Sequence, residues 1–150
     1  MSKKLFWFVG FFIFVADQFS KIHVCRSLFL GQSVTVIKNI FHISLVHNTG
    51  IAFGIFKGKT PLFIILSVIV IIYVTLRSVL RAEQYLFSKH LAMGLILGGA
   101  FGNLLDRLRL GYVVDFLDFR IWPVFNIADS AITIGIILLA VELFIKPKKT

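Results

Sequence analysis

The sequence predicts a mainly α-helical membrane protein: four transmembrane helices with a small extracytoplasmic antiparallel β-sheet between helices 1 and 2. Three observations predict it. Hydrophobic residues make up 58% of the chain and the mean hydropathy is +0.93, beyond what a water-soluble globule carries. Four apolar runs approach the ~20 residues that a helix needs to cross ~30 Å of hydrocarbon. Between the first two runs lies a segment in which apolar residues alternate with polar ones. At this length the whole chain, 1–150, reads as a single integral membrane domain. The formal charge of +9 is placed mostly at the ends of apolar runs rather than along one stripe, which points to the membrane surface and membrane lipid as partners and away from nucleic acid.

The first helix is predicted over about 5–24. Lys3 and Lys4 ahead of "LFWFVGFFIFVADQ" imitate a signal peptide, but no A-x-A site follows and three further apolar runs do, so the segment reads as a retained helix. "IHVC" is a poor lipoprotein processing site, because Val24 stands where a small residue is wanted. Cys25 is the single cysteine, which rules out an internal disulfide; it is expected to be a small packed apolar residue.

The remaining helices are predicted over about 62–80, 90–106 and 125–145. Lys3 and Lys4, then Arg77, Arg81 and Lys89, then Lys146, Lys148 and Lys149 mark ends that share one side if the chain crosses four times. By the positive-inside rule that side is cytoplasmic, and both termini lie there. Lys21, Arg26, Lys38, Lys57, Lys59, Arg107, Arg109 and Arg120 oppose the rule, spread over longer segments. Four crossings bring the end of helix 1, the end of helix 3 and the start of helix 4 to the same face. Asp17, Asp106, Asp115, Asp118 and Asp129 collect there, against Glu83 and Glu142 at the other. At ~1.5 Å per residue, Asp17 lies about 20 Å from Lys4 and Asp129 about 25 Å from Lys146, just beneath the outer boundary. Acids at that depth need a partner, a proton or a water-filled recess. Lys21 stands one turn beyond Asp17, and Asn103, Asp106 and Arg107 share an i, i+3, i+4 face where Arg107 suits the negative end of the helix dipole.

Between helices 1 and 2, about 30–58 reads as the β region. Phe41, Ile43 and Leu45 alternate, Lys38-Asn39 is a turn candidate, and "NTG" at 48–50 offers the positive φ that Gly50 permits. Such a sheet either touches lipid or a lipidated ligand, or merely caps the helices.

Metal chemistry is disfavoured: His23, His42, His47 and His90 are scattered, H-E-x-x-H is absent, and one cysteine builds no thiolate site, so neither a metal nor another cofactor is expected. Serine chemistry is weak too, since Ser20-Lys21 and Ser88-Lys89 diverge on a helix and G-x-S-x-G does not occur. Carboxylates remain. Asp115 and Asp129 flank a short connection that leaves and returns to the interface, and a pair that shares one proton can activate water for peptide hydrolysis. The bland alternative is ion pairing at a helix end with Arg107, Arg109 or Arg120. Asn48, Asn103 and Asn126 favour a site, because they orient carboxylates without neutralising them. A small proton-coupled transporter and a non-enzymatic assembly factor are the competing classes; the first lacks a midplane acid.

"ADQFSK" (16–21), "HNTGIAFG" (47–54), "GGAFGNLLDR" (98–107), "GYVVDFLDF" (111–119) and "FNIADSAITIG" (125–135) resemble, in order, the blocks of the lipoprotein signal peptidases, or signal peptidase II, bacterial membrane aspartic peptidases. The resemblance implies four helices with an extracytoplasmic β-cradle in the bacterial cytoplasmic membrane, the active site lying near the outer leaflet. It implies removal of the signal peptide from diacylglyceryl-modified prolipoproteins just before the lipidated cysteine, and sensitivity to the cyclic peptide globomycin. Carried over by block, the catalytic pair falls on Asp115 and Asp129. Supporting residues fall on Asp17, Lys21, Asn48, Gly50, Asn103, Asp106, Arg107, Asn126 and Ala128, while Asp118 reads as structural.

Overall fold

The computed structural model describes residues 2–50, 60–80 and 87–145. Helix α1 spans Ser2–Ser27, strands β1 and β2 span Ser33–Ile37 and Phe41–Asn48, and α2 spans Thr60–Leu80. Helix α3 covers Phe87–Leu110, strand β3 Val113–Asp118 and α4 Ile127–Ile145. The predicted β region continues to 58, and its part from 51 onward lies outside the described residues, as do Arg81, Glu83 and the basic residues after 145. Three helices, α1, α2 and α3, are each long and apolar enough to cross a membrane.

Helix α3 is the axis of the fold, packed against α1, α2 and α4. Small residues make that possible. A Cβ at Gly98 would collide with the Gly10 carbonyl of α1, and one at Gly99 would lie 2.5 Å from the Ala128 carbonyl of α4. Phe6, Val74, Met93, Ile96 and Leu97 fill the space between the helices. Outward, Phe8, Phe11, Phe12 and Phe19 of α1 and Ile65, Ile69 and Ile72 of α2 stand exposed, an apolar surface far larger than a soluble monomer shows and one that suits acyl chains.

Helix α3 runs one turn past its predicted end because Leu108 and Leu110 sustain it until Gly111, whose φ of 80° and N–H bond to the Arg107 carbonyl at 3.1 Å close the helix. Helix α4 starts later than predicted. Phe125 is drawn into extended backbone by bonds to Phe116 and Leu117, and Asn126 caps the helix instead.

The sheet is three-stranded and antiparallel in the order β1-β2-β3. Only β1 and β2 come from the predicted region between the first two helices; β3 comes from the connection after α3, pairing Val46 with Asp115 and Asn48 with Val113. Asn39, with φ 63°, turns the chain between β1 and β2. Leu45, Val114 and Phe116 pack with Val24 of α1 and seat the sheet on the end of the helix bundle. Cys25 departs from expectation: it is exposed on α1, because the neighbouring Val24 takes the inward position.

Candidate active site

Two buried carboxylates hold the site's frame. Asp17 is completely buried on α1, and Lys21, one turn on, lies 2.8 Å from its Oδ2. The same Nζ reaches Asp106 Oδ2 of α3 at 2.9 Å and Asn103 Oδ1 at 3.1 Å. Each acid then grips a backbone N–H. Asp106 Oδ2 accepts Val114 N–H at 3.1 Å, immediately before Asp115 in β3. Asp17 Oδ1 accepts Ala128 N–H at 3.0 Å, immediately before Asp129 in α4. A buried charge is tolerated only when paired and fully hydrogen-bonded, and this triad meets that condition.

Asp115 and Asp129 are joined by amides. Asn126 Nδ2 donates to Asp115 Oδ1 at 2.6 Å, while Asn126 Oδ1 accepts the Asp129 N–H at 2.9 Å as the helix cap. Asn103 Nδ2 donates to Asp129 Oδ1 at 2.7 Å, and its own Oδ1 receives Asn126 Nδ2 at 3.2 Å. Asn48 Nδ2, from β2, donates to Asp115 Oδ2 at 2.8 Å, and Asn48 Oδ1 accepts the Gly50 N–H at 2.9 Å. Among the described residues neither Asp115 nor Asp129 forms a salt bridge. Arg107 instead donates to the Asn103 carbonyl at 3.4 Å and lies over the Phe63 ring, 5.2 Å from its centroid.

The electrostatic consequence is readable at Asp115, which is 1% exposed. Burial and the neighbouring Asp129 charge push its carboxyl up to about 7, against the opposing hydrogen bonds of Asn48 and Asn126. Asp118 behaves oppositely. Burial would raise it, but bonds from Ser44 Oγ at 2.7 Å and from the Arg120 N–H and guanidinium outweigh that and hold it below its ordinary range. Its hydrogen bonds all serve the sheet and the turn after β3, away from the paired aspartates.

Asp129 opens into a cavity of about 200 Å³ bounded by Asn48, Gly50, Asn103, Arg107 and Trp122. A larger, mostly apolar groove of about 500 Å³ meets it at Asp129 and runs past Phe119, Trp122, Phe125 and Ile134. The predicted site residues Asp17, Lys21, Asn48, Gly50, Asn103, Asp106, Arg107, Asp115, Asn126, Ala128 and Asp129 are thus brought to one end of the bundle. Gln18 was missed: its Nε2 donates to Asp106 Oδ1 at 3.0 Å and to the Gly102 carbonyl at 3.2 Å. Its place beside Asp17, one residue off the buried stripe, was the available signal. Among the described residues no three His, Cys, Asp or Glu side chains are grouped to hold a metal ion.

A pair of amide-linked carboxylates at one end of a lipid-facing helical bundle matches the class of membrane aspartic peptidases. Comparison with known proteins narrows it. The family model described as signal peptidase (SPase) II matches residues 9–145, and the chain belongs to that family. It is 43% identical over 142 residues to the lipoprotein signal peptidase of Halothermothrix orenii, covering 95% of this chain and 97% of that one. It is 44% identical over 144 residues to that of Moorella thermoacetica, with 93% of each chain covered. A bacterial membrane enzyme solved by the in meso method at 2.3 Å superposes with a TM-score of 0.86 at 34% identity, covering 95% of this chain and 92% of that one.

Proposed function

We propose that this chain removes the signal peptide from diacylglyceryl-modified prolipoproteins, cutting just before the lipidated cysteine, with Asp115 and Asp129 activating the attacking water. The observation that carries the reading is the chain of amides, Asn126 on Asp115 and Asn103 on Asp129, that links two carboxylates which form no salt bridge among the described residues. Such acids hold one proton between them: the ionised member takes a proton from water while the protonated member donates to the scissile carbonyl. The tetrahedral intermediate then collapses as the pair protonates the leaving amine. The pair titrates as a unit, so acid and base are roles of the dyad. Asn48, Asn103 and Asn126 orient the carboxylates, Asp17, Lys21 and Asp106 position the backbone beside them, and Ala128 is their small neighbour. Arg107 and Gly50 line the cavity beside Asp129 and orient the substrate peptide. The reaction uses no metal.

In this reading residues 1–150 form one membrane domain in which α4 makes a fourth crossing, the termini are cytoplasmic and the paired aspartates meet the outer leaflet of a bacterial cytoplasmic membrane. A substrate anchored by its diacylglyceryl group has its scissile bond near the headgroup boundary, and the apolar groove beside Asp129 offers its acyl chains a track. Globomycin, a cyclic peptide, competes for the same cavity. The test is to incubate detergent-solubilised protein with a lipidated and an unlipidated precursor. Cleavage of the lipidated form alone is expected, and cleavage of neither or of both equally overturns the reading.

A further inference from the structure

On the far side of Lys21 from the paired aspartates, the last turns of α1 and α3 enclose a second cavity of about 260 Å³. The Lys21 and Asp106 ion pair forms its floor, Arg26 and Arg109 stand at its rim, and Ile22 and Leu110 supply apolar wall. An arginine in a last turn often serves the helix's own carbonyls. In α3 Arg107 takes that role, through the Asn103 carbonyl. Arg26 and Arg109 are exposed and form no ion pair among the described residues. Two guanidiniums from different helices therefore face one cavity with their charge unspent, and a phosphate, with its several acceptor oxygens, matches such a fork.

The surface beneath them is hydrocarbon-like. Phe19, Ile22 and Arg26 follow at i, i+3 and i+7 on one stripe of α1, with Phe19 72% and Ile22 47% exposed. Leu108 of α3 is 62% exposed beside them in chain order with Arg109. A ligand satisfying both parts carries a compact anion joined to an apolar chain. We propose that Arg26 and Arg109 clamp the phosphate of an anionic phospholipid whose acyl chain lies along Phe19 and Ile22. The proposal rests on the crossing arrangement given above, which sets this rim at headgroup depth. Free phosphate shares the anion chemistry but leaves the apolar stripe unused.

The experiment is native mass spectrometry of the full chain equilibrated in detergent with equal phosphatidylglycerol and phosphatidylcholine, with inorganic phosphate in a parallel arm. The wild type is expected to retain phosphatidylglycerol preferentially. The Arg26→Gln/Arg109→Gln variant should lose about tenfold of that retention, and Arg26→Lys/Arg109→Lys should keep most of it. Each single glutamine variant should lose part, which preserves the test if the double variant does not fold. Unchanged retention in the glutamine variants, or equal retention of both lipids, overturns the site. Displacement of the lipid by inorganic phosphate overturns the lipid assignment. Cleavage of lipidated precursor is measured on the same samples: its absence in wild type with lipid preference intact counts against the peptidase reading and leaves the lipid site standing.

Discussion

Lys21 and Asp106, on different helices, meet at 2.9 Å in the interior of the bundle, and Asp17 shares the same ammonium. Because Asp17 holds the N–H of Ala128 and Asp106 that of Val114, one cation governs the backbone on which both site aspartates stand. Lys21→Met leaves two buried carboxylates without their cation and should cost about 3–5 kcal/mol of stability. Adding Asp106→Asn should recover part of the loss. Chemical unfolding of the single and double variants in detergent checks this, and a double variant less stable than Lys21→Met contradicts it.

Replacing either member of the amide-bridged pair should abolish turnover. Asp115→Asn and Asp129→Asn are each expected to lower cleavage of lipidated precursor by about 10²–10⁴-fold or more, with circular dichroism unchanged. Full activity in either variant refutes the dyad.

The rate should fall as pH rises through about 7, where Asp115 releases the proton that the pair must keep. Asn126→Ala removes a hydrogen bond that favours the ionised form of Asp115, so the alkaline limb should move to higher pH while the helix loses a cap worth about 1 kcal/mol. A pH profile of kcat/KM for both proteins decides it; a downward shift contradicts the role given to Asn126.

Stability carries the same signature. Asp115 binds its proton more tightly folded than unfolded, so its contribution is fully present below its ordinary value of 3.8 and is lost as pH rises through about 7. At about 1.4 kcal/mol per pH unit the difference is on the order of 4 kcal/mol. Asp115→Asn should therefore gain thermal stability over the parent as pH rises from 5, the gap widening to about pH 7 and levelling off above it. A constant or narrowing gap between about pH 5 and pH 7 runs against this assignment.

Close helix packing gives the last prediction. A Cβ at Gly98 meets the Gly10 carbonyl and one at Gly102 meets the Asp17 carboxylate. Gly98→Ala should lower thermal stability without altering the pH profile, whereas Gly102→Ala should disturb both by displacing Asp17. Melting curves and pH profiles of the two variants separate the cases.

Apolar runs and end charges made the helices readable, since both are local in sequence, and the acids could be grouped on one face from crossing parity alone. Helix ends were less readable, because Gly111 and Asn126 act through backbone geometry that hydropathy does not register. The origin of β3 was hidden for a different reason. "VVDFLD" pairs with β2, far earlier in the chain, and nothing near it in sequence announces that partner. Gln18 went unnoticed because, beyond the adjacent Asp17, its partners Asp106 and Gly102 lie on another helix. The aspartates themselves stood out for the opposite reason: carboxylates in so apolar a chain have few places to hide.

The pairing of β2 with β3, and the capping of α4 by Asn126 and Asp17, carry a consequence for biosynthesis. Asp115 acquires its amide donors only when β2, which carries Asn48, and the start of α4, which carries Asn126, have both reached it, and Asp129 arrives with that same helix. On the proposed dyad, a nascent chain integrated only as far as α3 lacks both Asp129 and the Asn126 amide and is hydrolytically silent.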